Sequence, residues 1–324
     1  MMIKVLTTFT ALALCLAAPA ALADGTHVQL QSLPSYVHRI YVPVVPQTEN
    51  SVTIEALPLQ SIEVTPPGFE VRIVSDRLVV FADRAEESGY AVVRAGGREL
   101  TLTLASVKPY EAVRDGKLDG YAIGSYSERP LRGLESYERP DGFVRLTPKN
   151  GELFVSDHYR LRDFQCKLDG ASKFLVLRTE ALLKLEILQH ELESRHGVQL
   201  SRFSILSGYR TPYYNARIGN ETTNSRHLYG DAMDIYVDAN GDGTMDDINR
   251  DGRTNAGDAR FLLEVAESID RSPEWGWLRG GAGVYEANAA HGPYLHVDAR
   301  GYVARWGALA GSPPATRAMA VPTR

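Results

Sequence analysis

The residues with the most chemical promise lie between positions 225 and 298. In Ser225-Arg-His-Leu-Tyr-Gly-Asp-Ala-Met-Asp234, His227 falls in a turn, and Asp234 falls in an apolar run with Met233, Ile235 and Val237. Far downstream, His296 sits in the run Tyr294-Leu-His-Val297. Two imidazoles and a carboxylate suit Zn²⁺ and leave a fourth position for water, which marks a catalytic rather than a structural site. Such an ion polarises a carbonyl and lowers the pKa of water toward 7. A carboxylate buried in an apolar strand needs a partner or a metal. Arg210 is the other candidate partner for Asp234, and spacing alone leaves both readings open.

A second polar concentration lies between Asp234 and His296. Asp238-Ala-Asn-Gly-Asp-Gly-Thr-Met-Asp246 runs directly into Asp247-Ile-Asn-Arg-Asp-Gly-Arg-Thr-Asn-Ala-Gly-Asp258. Both halves carry D-x-N-x-D-G, with oxygens at positions 1, 3 and 5 and the turn glycine at 6, as in loops that wrap Ca²⁺. The expected calcium ligands are Asp238, Asn240, Asp242 and Asp246, then Asp247, Asn249, Asp251, Asn255 and Asp258. The second run resembles the calcium loops of dockerin domains. The alternative is a polar Gly/Asp loop that merely stays soluble. His190-Glu191 on a helix starts like a zincin motif, but Ser194 stands where the second histidine should be, so the motif fails. Cys166 has no evident base partner and reads as a small buried hydrophobe.

These residues need elements to hold them. Leu182, Leu185, Leu188 and Leu192 form a helical stripe over Arg178 to His196, with Gly197 placed to cap it. Phe203 to Leu206, Ala232 to Val237, Gly283 to Tyr285 and Tyr294 to Val297 read as strands, and Phe261 to Ile269 as a helix. Helices followed by strands without strict βαβ alternation point to an α+β domain over 158–308, with the calcium-like insertion at 238–258. Residues 27–107 differ. Ser51 to Leu57, Phe69 to Val74 and Glu99 to Leu104 alternate with period 2, and Gly96-Gly97 could turn a hairpin from Tyr90-Ala-Val-Val93. That half reads as a small all-β sandwich. Residues 108–157, rich in Gly, Pro, Tyr and charge, read as a linker or a wrapping segment.

Composition narrows the classes further. The chain has 324 residues, 44% hydrophobic and 23% charged, which is ordinary for a globular protein and excludes general disorder. Lys4, the apolar stretch Val5 to Ala18 and Ala21-Leu-Ala23 form a secretory signal peptide, residues 1–23. Export to the periplasm or the exterior is therefore expected, with no membrane anchor after cleavage. Losing Lys4 takes the formal charge from −5 to −6, so no nucleic-acid partner is expected. Cleavage also removes Cys15 and leaves Cys166 alone, which excludes an intramolecular disulfide and a Cys-rich zinc site. Residues 309–324 read as a flexible tail.

The order Ser207-Gly-Tyr-Arg210, Ser225-x-His227-x6-Asp234 and His296-Val-Asp298 resembles the zinc D-Ala-D-Ala carboxypeptidase family. The murein endopeptidase branch of that family is the nearest in look, and Phe164-Gln-Cys-Lys167 is similar to its opening motif. The resemblance spans about His158 to Trp306 and leaves out the β-rich half. It implies the metal-site fold shared with the hedgehog signalling domain, and His227, Asp234 and His296 as zinc ligands. Arg210 would then bind a substrate carboxylate or a developing oxyanion, unless it serves as a salt bridge to Asp234 or Asp298. Tyr209 and Ser225 would face substrate, or Ser225 would support the His227 loop. Many relatives carry an acidic base three residues before the last ligand, where this chain has Pro293. His291 matches a histidine near the site of endopeptidase members and becomes the expected proton-transfer group. Asp298 shares a strand face with His296 and would orient it.

Three functions follow as expectations: a zinc peptidase on peptidoglycan stem peptides, a catalytically weak metal-containing peptidoglycan-binding module, and a calcium-dependent adhesion protein acting through its β domain and a protein partner.

Overall fold

Period-2 alternation builds the first part of the chain. The computed structural model describes residues 24–220 and 222–309, so the expected signal peptide and nearly all of the expected tail lie outside the described residues. Eight strands come first: β1 (Asp24–Leu30), β2 (Arg39–Val44), β3 (Glu49–Ile54), β4 (Leu59–Val64), β5 (Phe69–Val74), β6 (Arg77–Ala82), β7 (Ser88–Ala95) and β8 (Arg98–Ser106). They form two four-stranded sheets, ordered β1-β3-β6-β5 and β2-β8-β7-β4. Val42, Val44, Val52, Leu78, Val80, Leu100, Leu102 and Leu104 fill the core between them. The expected hairpin is present. Ala95 pairs with Arg98, and Gly96 and Gly97 both take positive φ, as a two-residue turn of primed type requires.

The segment after the sandwich is more than a linker. It carries β9 (Lys108–Pro109), the two-residue strands β10 (Lys117–Leu118) and β11 (Tyr121–Ala122), and β12 (Gly142–Leu146). β12 pairs antiparallel with β9 and with β13 (Lys173–Leu175). Leu118, Tyr121, Ile123, Tyr126, Tyr137 and Phe143 are all buried, so its aromatic content is spent on packing. The segment is a strap laid across the C-terminal domain.

Among the described residues, the C-terminal domain has three α-helices and one five-stranded sheet. α1 (Thr179–His196) ends where Gly197 adopts the left-handed conformation and donates its N–H to Glu193 O. It is buried on nearly every side because the sandwich covers it as well: Thr179 Oγ1 donates to Tyr41 O at 2.7 Å. α2 (Pro212–Arg217) is capped by Thr211 Oγ1. α3 (Ala256–Arg271) begins five residues earlier than its apolar periodicity suggests, because Asn255 and Asp258 form a capping box at its start.

The sheet runs β14-β15-β17-β16-β18, from β14 (Ser204–Ser207), β15 (Ala232–Tyr236), β16 (Gly281–Tyr285), β17 (Tyr294–Asp298) and β18 (Ala304–Gly307). All neighbours are antiparallel except β16 and β18. Leu295 and Val297 join the core beside α3, and the alternate residues Tyr294, His296 and Asp298 take the other face. The mixture of strands and helices is α+β, as expected. No helix of the described residues is long and apolar enough to cross a membrane.

Candidate metal centre

The three expected ligands meet. Asp234 and His296 are direct cross-strand partners on β15 and β17. His227 comes to them from a short 3-10 helix, Arg226–Tyr229, that ends at Gly230 in the left-handed conformation. A side chain at Gly230 would strike the Val176 carbonyl at 2.5 Å, so the turn must be glycine.

The atoms that converge are all acceptors. His227 Nε2 lies 3.1 Å from His296 Nδ1 and 3.2 Å from Asp234 Oδ1, and His296 Nδ1 lies 2.9 Å from the same oxygen. The outer nitrogens are occupied. His227 Nδ1 donates to Gly208 O at 2.7 Å, and His296 Nε2 donates to Asp298 Oδ2 at 3.2 Å. Those bonds place each ring's proton outside and its lone pair inside. Three lone pairs facing one another repel unless a cation or a proton sits among them. This donor set fits a zinc ion, and among the described residues it is the only group of three or more acids, histidines or cysteines close enough to hold a metal.

Burial lowers His227 below its ordinary 6.5, against the pull of Asp234. Burial acts the same way on His296, but the carboxylates of Asp234 and Asp298 outweigh it and raise that ring, so in the absence of an ion they favour a proton there. Burial alone would raise Asp234, yet the two imidazoles hold it well below the usual carboxylate range.

Supporting residues lock the ligands. Asp298 is fully buried; it accepts from Gly281 N at 2.7 Å and is gripped by Arg300, with Nη2 at 2.5 Å from Oδ2. Arg210 answers the choice that spacing left open, since Asp234 does both things. Its Oδ1 faces the histidines, while its Oδ2 accepts from Arg210 Nη2 at 2.5 Å. Ser207 Oγ fixes Arg210 Nε at 2.8 Å. Arg210 Nη1 makes no hydrogen bond to the described residues, and the side chain is 13% exposed. Gly208 lets the chain turn here, because a side chain would meet the Phe164 backbone at 2.7 Å.

His227 is also held from outside the domain. Its neighbour Arg226 is buried, bonded by Nε (3.0 Å) and Nη2 to Asp231, and donates to Ser136 O at 2.7 Å. The Arg226 guanidinium is clamped between the rings of Tyr137 and Tyr229, at 4.1 and 4.8 Å. Tyr126 OH donates to Leu228 O at 2.9 Å. Ser136, Tyr137 and Tyr126 all belong to the strap.

Apart from Arg210 and Asp298, none of the other expected site residues makes a hydrogen bond to the three candidate ligands among the described residues. Tyr209 does not face the site: its ring is buried, and its hydroxyl lies 3.0 Å from that of Tyr126. The residue after Gly208 turns inward because its N–H is tied to Phe164 O. Ser225 precedes the 3-10 helix and accepts Leu228 N on its backbone carbonyl. His291 is half-buried, with Nδ1 donating to Gly292 O, Nε2 accepting from Asn288 and the ring edge against Tyr294. His190 stacks on Tyr36 at 3.7 Å. Cys166 is buried, as expected.

Most of the expected calcium oxygens of 238–258 accept backbone N–H groups. In both halves, position 1 accepts the N–H groups of positions 5 and 6, through Asp238 and Asp247. Asn240 and Asn249 also bond position 5. Asp242 and Asp251 each accept the N–H two residues on, and Asp246 accepts Ala239 N. Asn255 and Asp258 cap α3, and Asp258 also takes Ile248 N. No three acids converge there, so the expected calcium finds no support in the geometry.

The sequence reading missed an aromatic rim. Tyr285 stacks on Tyr294 at 4.6 Å, and Trp306 Nε1 donates to Tyr285 OH at 3.0 Å. The Trp306 ring lies 5.1 Å from His296 and covers Gly283, where a side chain would meet it at 2.2 Å. Period 2 in β17 puts Tyr294 on the face of His296. The partners from β16 and β18 need the register.

Two imidazoles and a carboxylate, with a guanidinium alongside, form a group in an α+β domain that could hold a metal ion. Residues 157–260 match the Peptidase M15 family, a family of zinc peptidases, in line with the resemblance to the zinc D-Ala-D-Ala carboxypeptidases. The match contains His227 and Asp234, and His296 lies beyond it. No curated protein matches the chain.

Proposed function

We propose that this protein is an exported zinc peptidase that hydrolyses amide bonds in peptidoglycan stem peptides or cross-links. The observation that carries the reading is the inward convergence of three lone pairs, from His227 Nε2, His296 Nδ1 and Asp234 Oδ1, beside Arg210. When bound, zinc supplies polarisation of an amide carbonyl and activation of water. The chain does the rest. Gly208 O and Asp298 keep both imidazoles facing inward. Arg210 neutralises Asp234 and offers Nη1 to a substrate carboxylate or to the oxygen that gains charge. Trp306, Tyr285 and Tyr294 keep water from the His296 side. His291 moves a proton at Nε2 once substrate displaces Asn288 from it.

The test is digestion of purified sacculi by the zinc-loaded protein, with mass spectrometry of the muropeptides. New amide-cleavage products that disappear in His227→Ala support the reading. A non-catalytic, sacculus-binding module is the second reading. It is favoured by Pro293 in place of an acid and by the 2.8 Å bond that occupies His291 Nε2. Cosedimentation with sacculi without any product would select it.

A further inference from the structure

Lysine is almost never fully buried unless it is paired. Lys184, on α1, has a side chain only 2% exposed, and its partner Asp270 on α3 is 3% exposed. Lys184 Nζ donates to Asp270 Oδ1 at 2.9 Å and to the backbone carbonyl of Asp298 at 3.0 Å. Asp298 is the residue whose carboxylate takes the outer nitrogen of His296. A charged donor from the helix therefore stands directly behind the support of one candidate ligand.

Asp270 does not require the lysine. Arg305 on β18 already pairs with it, Nη2 to Oδ2, at 2.5 Å. Asp270 would thus keep a cation beside it with an apolar side chain at position 184. Apolar residues of similar volume often match or better a buried ion pair in stability, and methionine has nearly the length of lysine. What methionine would leave without its charged donor is the Asp298 carbonyl.

The same cluster reaches Asp298 by a second route. Asp270 Oδ1 accepts Gly280 N at 3.3 Å, and Arg305 Nη1 donates to Gly280 O at 2.9 Å. Gly280 lies so close that a Cβ on it would meet the Asp298 carbonyl oxygen at 1.8 Å. The next residue, Gly281, then offers its N–H to Asp298 Oδ1 at 2.7 Å. Main chain and side chain of Asp298 are braced by α1, α3 and β18 together.

We propose that Lys184 is a positioning residue for the candidate metal centre. By holding the Asp298 carbonyl, it fixes the carboxylate that keeps the His296 Nε2 proton outward and leaves Nδ1 free for the ion. Lys184 acts through Asp298, since neither of its hydrogen bonds goes to His227, Asp234 or His296. The proposal rests on the metal reading of those three residues and deepens it.

The experiment has two readouts on the full chain. NMR follows solvent exchange of the His296 Nε2 proton in the metal-free protein, and chelator competition measures zinc affinity. Lys184→Met is expected to speed the exchange and to weaken zinc binding, each about tenfold, the low end of what losing a supporting carboxylate costs. Lys184→Gln, whose amide nitrogen stops one bond short of Nζ, is a second neutral variant with the same expectation, and it decides the matter if Lys184→Met does not fold. Gln189→Leu is the control for damage to α1 alone. It removes the buried bonds to Ser201 O and from Tyr159 OH. It should lower stability and leave both readouts within about twofold of wild type, well below the loss of a carboxylate support. Lys184 variants with unchanged exchange overturn the proposal. So does faster exchange with unchanged zinc affinity, or a Gln189→Leu variant that matches them in both readouts. If wild type binds no zinc, the metal reading fails, and the exchange rates in the metal-free protein still decide whether Lys184 positions His296.

Discussion

Asp298→Asn exchanges one atom at the point where the second imidazole is held. In the wild type, Asp298 Oδ1 takes Gly281 N, and Oδ2 takes both His296 Nε2 and Arg300 Nη2. Asparagine keeps an oxygen for Gly281, but its amide nitrogen then faces two donors. His296 can relieve that clash only by moving its proton from Nε2 to Nδ1, the atom that faces His227 and Asp234. A ligand with a proton on its donor atom cannot bind metal. Losing such a supporting carboxylate lowers metal affinity about 10- to 100-fold, or about 1.4 to 2.7 kcal/mol. Stability falls too, because Arg300 loses its partner. Breaking a buried pair costs about 3 to 5 kcal/mol, and the low end applies because the Arg300 side chain is 13% exposed. A loss of about 3 kcal/mol lowers Tm by roughly 6 to 12 °C for a chain of this size. Chelator-competition titration with zinc reads the first effect and calorimetry the second. Arg300→Gln is the control: it should lose stability while zinc affinity stays within about threefold, a margin well below the loss of a carboxylate partner. The reasoning fails if Asp298→Asn binds zinc within twofold of wild type, or if both variants lose affinity equally.

Tyr126→Phe removes one hydroxyl that bonds Leu228 O and Tyr209 OH. Denaturant unfolding should show a loss of about 1 to 3 kcal/mol, two hydrogen bonds' worth. Gly283→Ala puts a methyl into the Trp306 indole and breaks its bond to Tyr285. A red shift in tryptophan emission, absent from the double variant with Trp306→Phe, would confirm the displacement. The hydrogen bond to Glu186 raises His158 above its ordinary 6.5, a pull that outweighs burial. With a raised folded pKa, the pair's stabilisation is full below about pH 6.5 and fades as pH climbs through the raised value. Thermal scans from pH 6 to 9 should show that fade in wild type and lose it in Glu186→Gln, with an NMR titration of His158 above 6.5 as the direct check.

The three residues that converge were readable from residue type and context. An aspartate flanked by Met233, Ile235 and Val237 has to be satisfied, and the histidine of Tyr294–Asp298 lies on an alternating strand. What holds the ligands was hidden, because it depends on register and on distant segments. Nothing local marks Arg226 until Ser136, ninety residues earlier, and its neighbour Tyr137 close over it. Tyr209 sits in the Ser-Gly-Tyr-Arg motif beside Arg210, yet the turn at Gly208 sends the two side chains in opposite directions. Asn255 and Asp258 satisfied two sequence patterns at once, a calcium loop and a capping box, and the backbone N–H groups of the helix start claimed them. β18 was invisible because four residues carry too little alternation to declare a strand.

The clamp on Arg226 bears on where the functional unit begins. The family match starts at residue 157, but the guanidinium next to the first ligand finishes its cage with Ser136 and Tyr137. A fragment cut at the match boundary would carry a buried cation with an open side and a metal loop hinged on it. The structural unit around His227 is therefore longer than the matched one. Transplanting this centre to another scaffold means moving the strap together with the three residues, because Ser136, Tyr137 and Tyr126 hold the turn that carries His227.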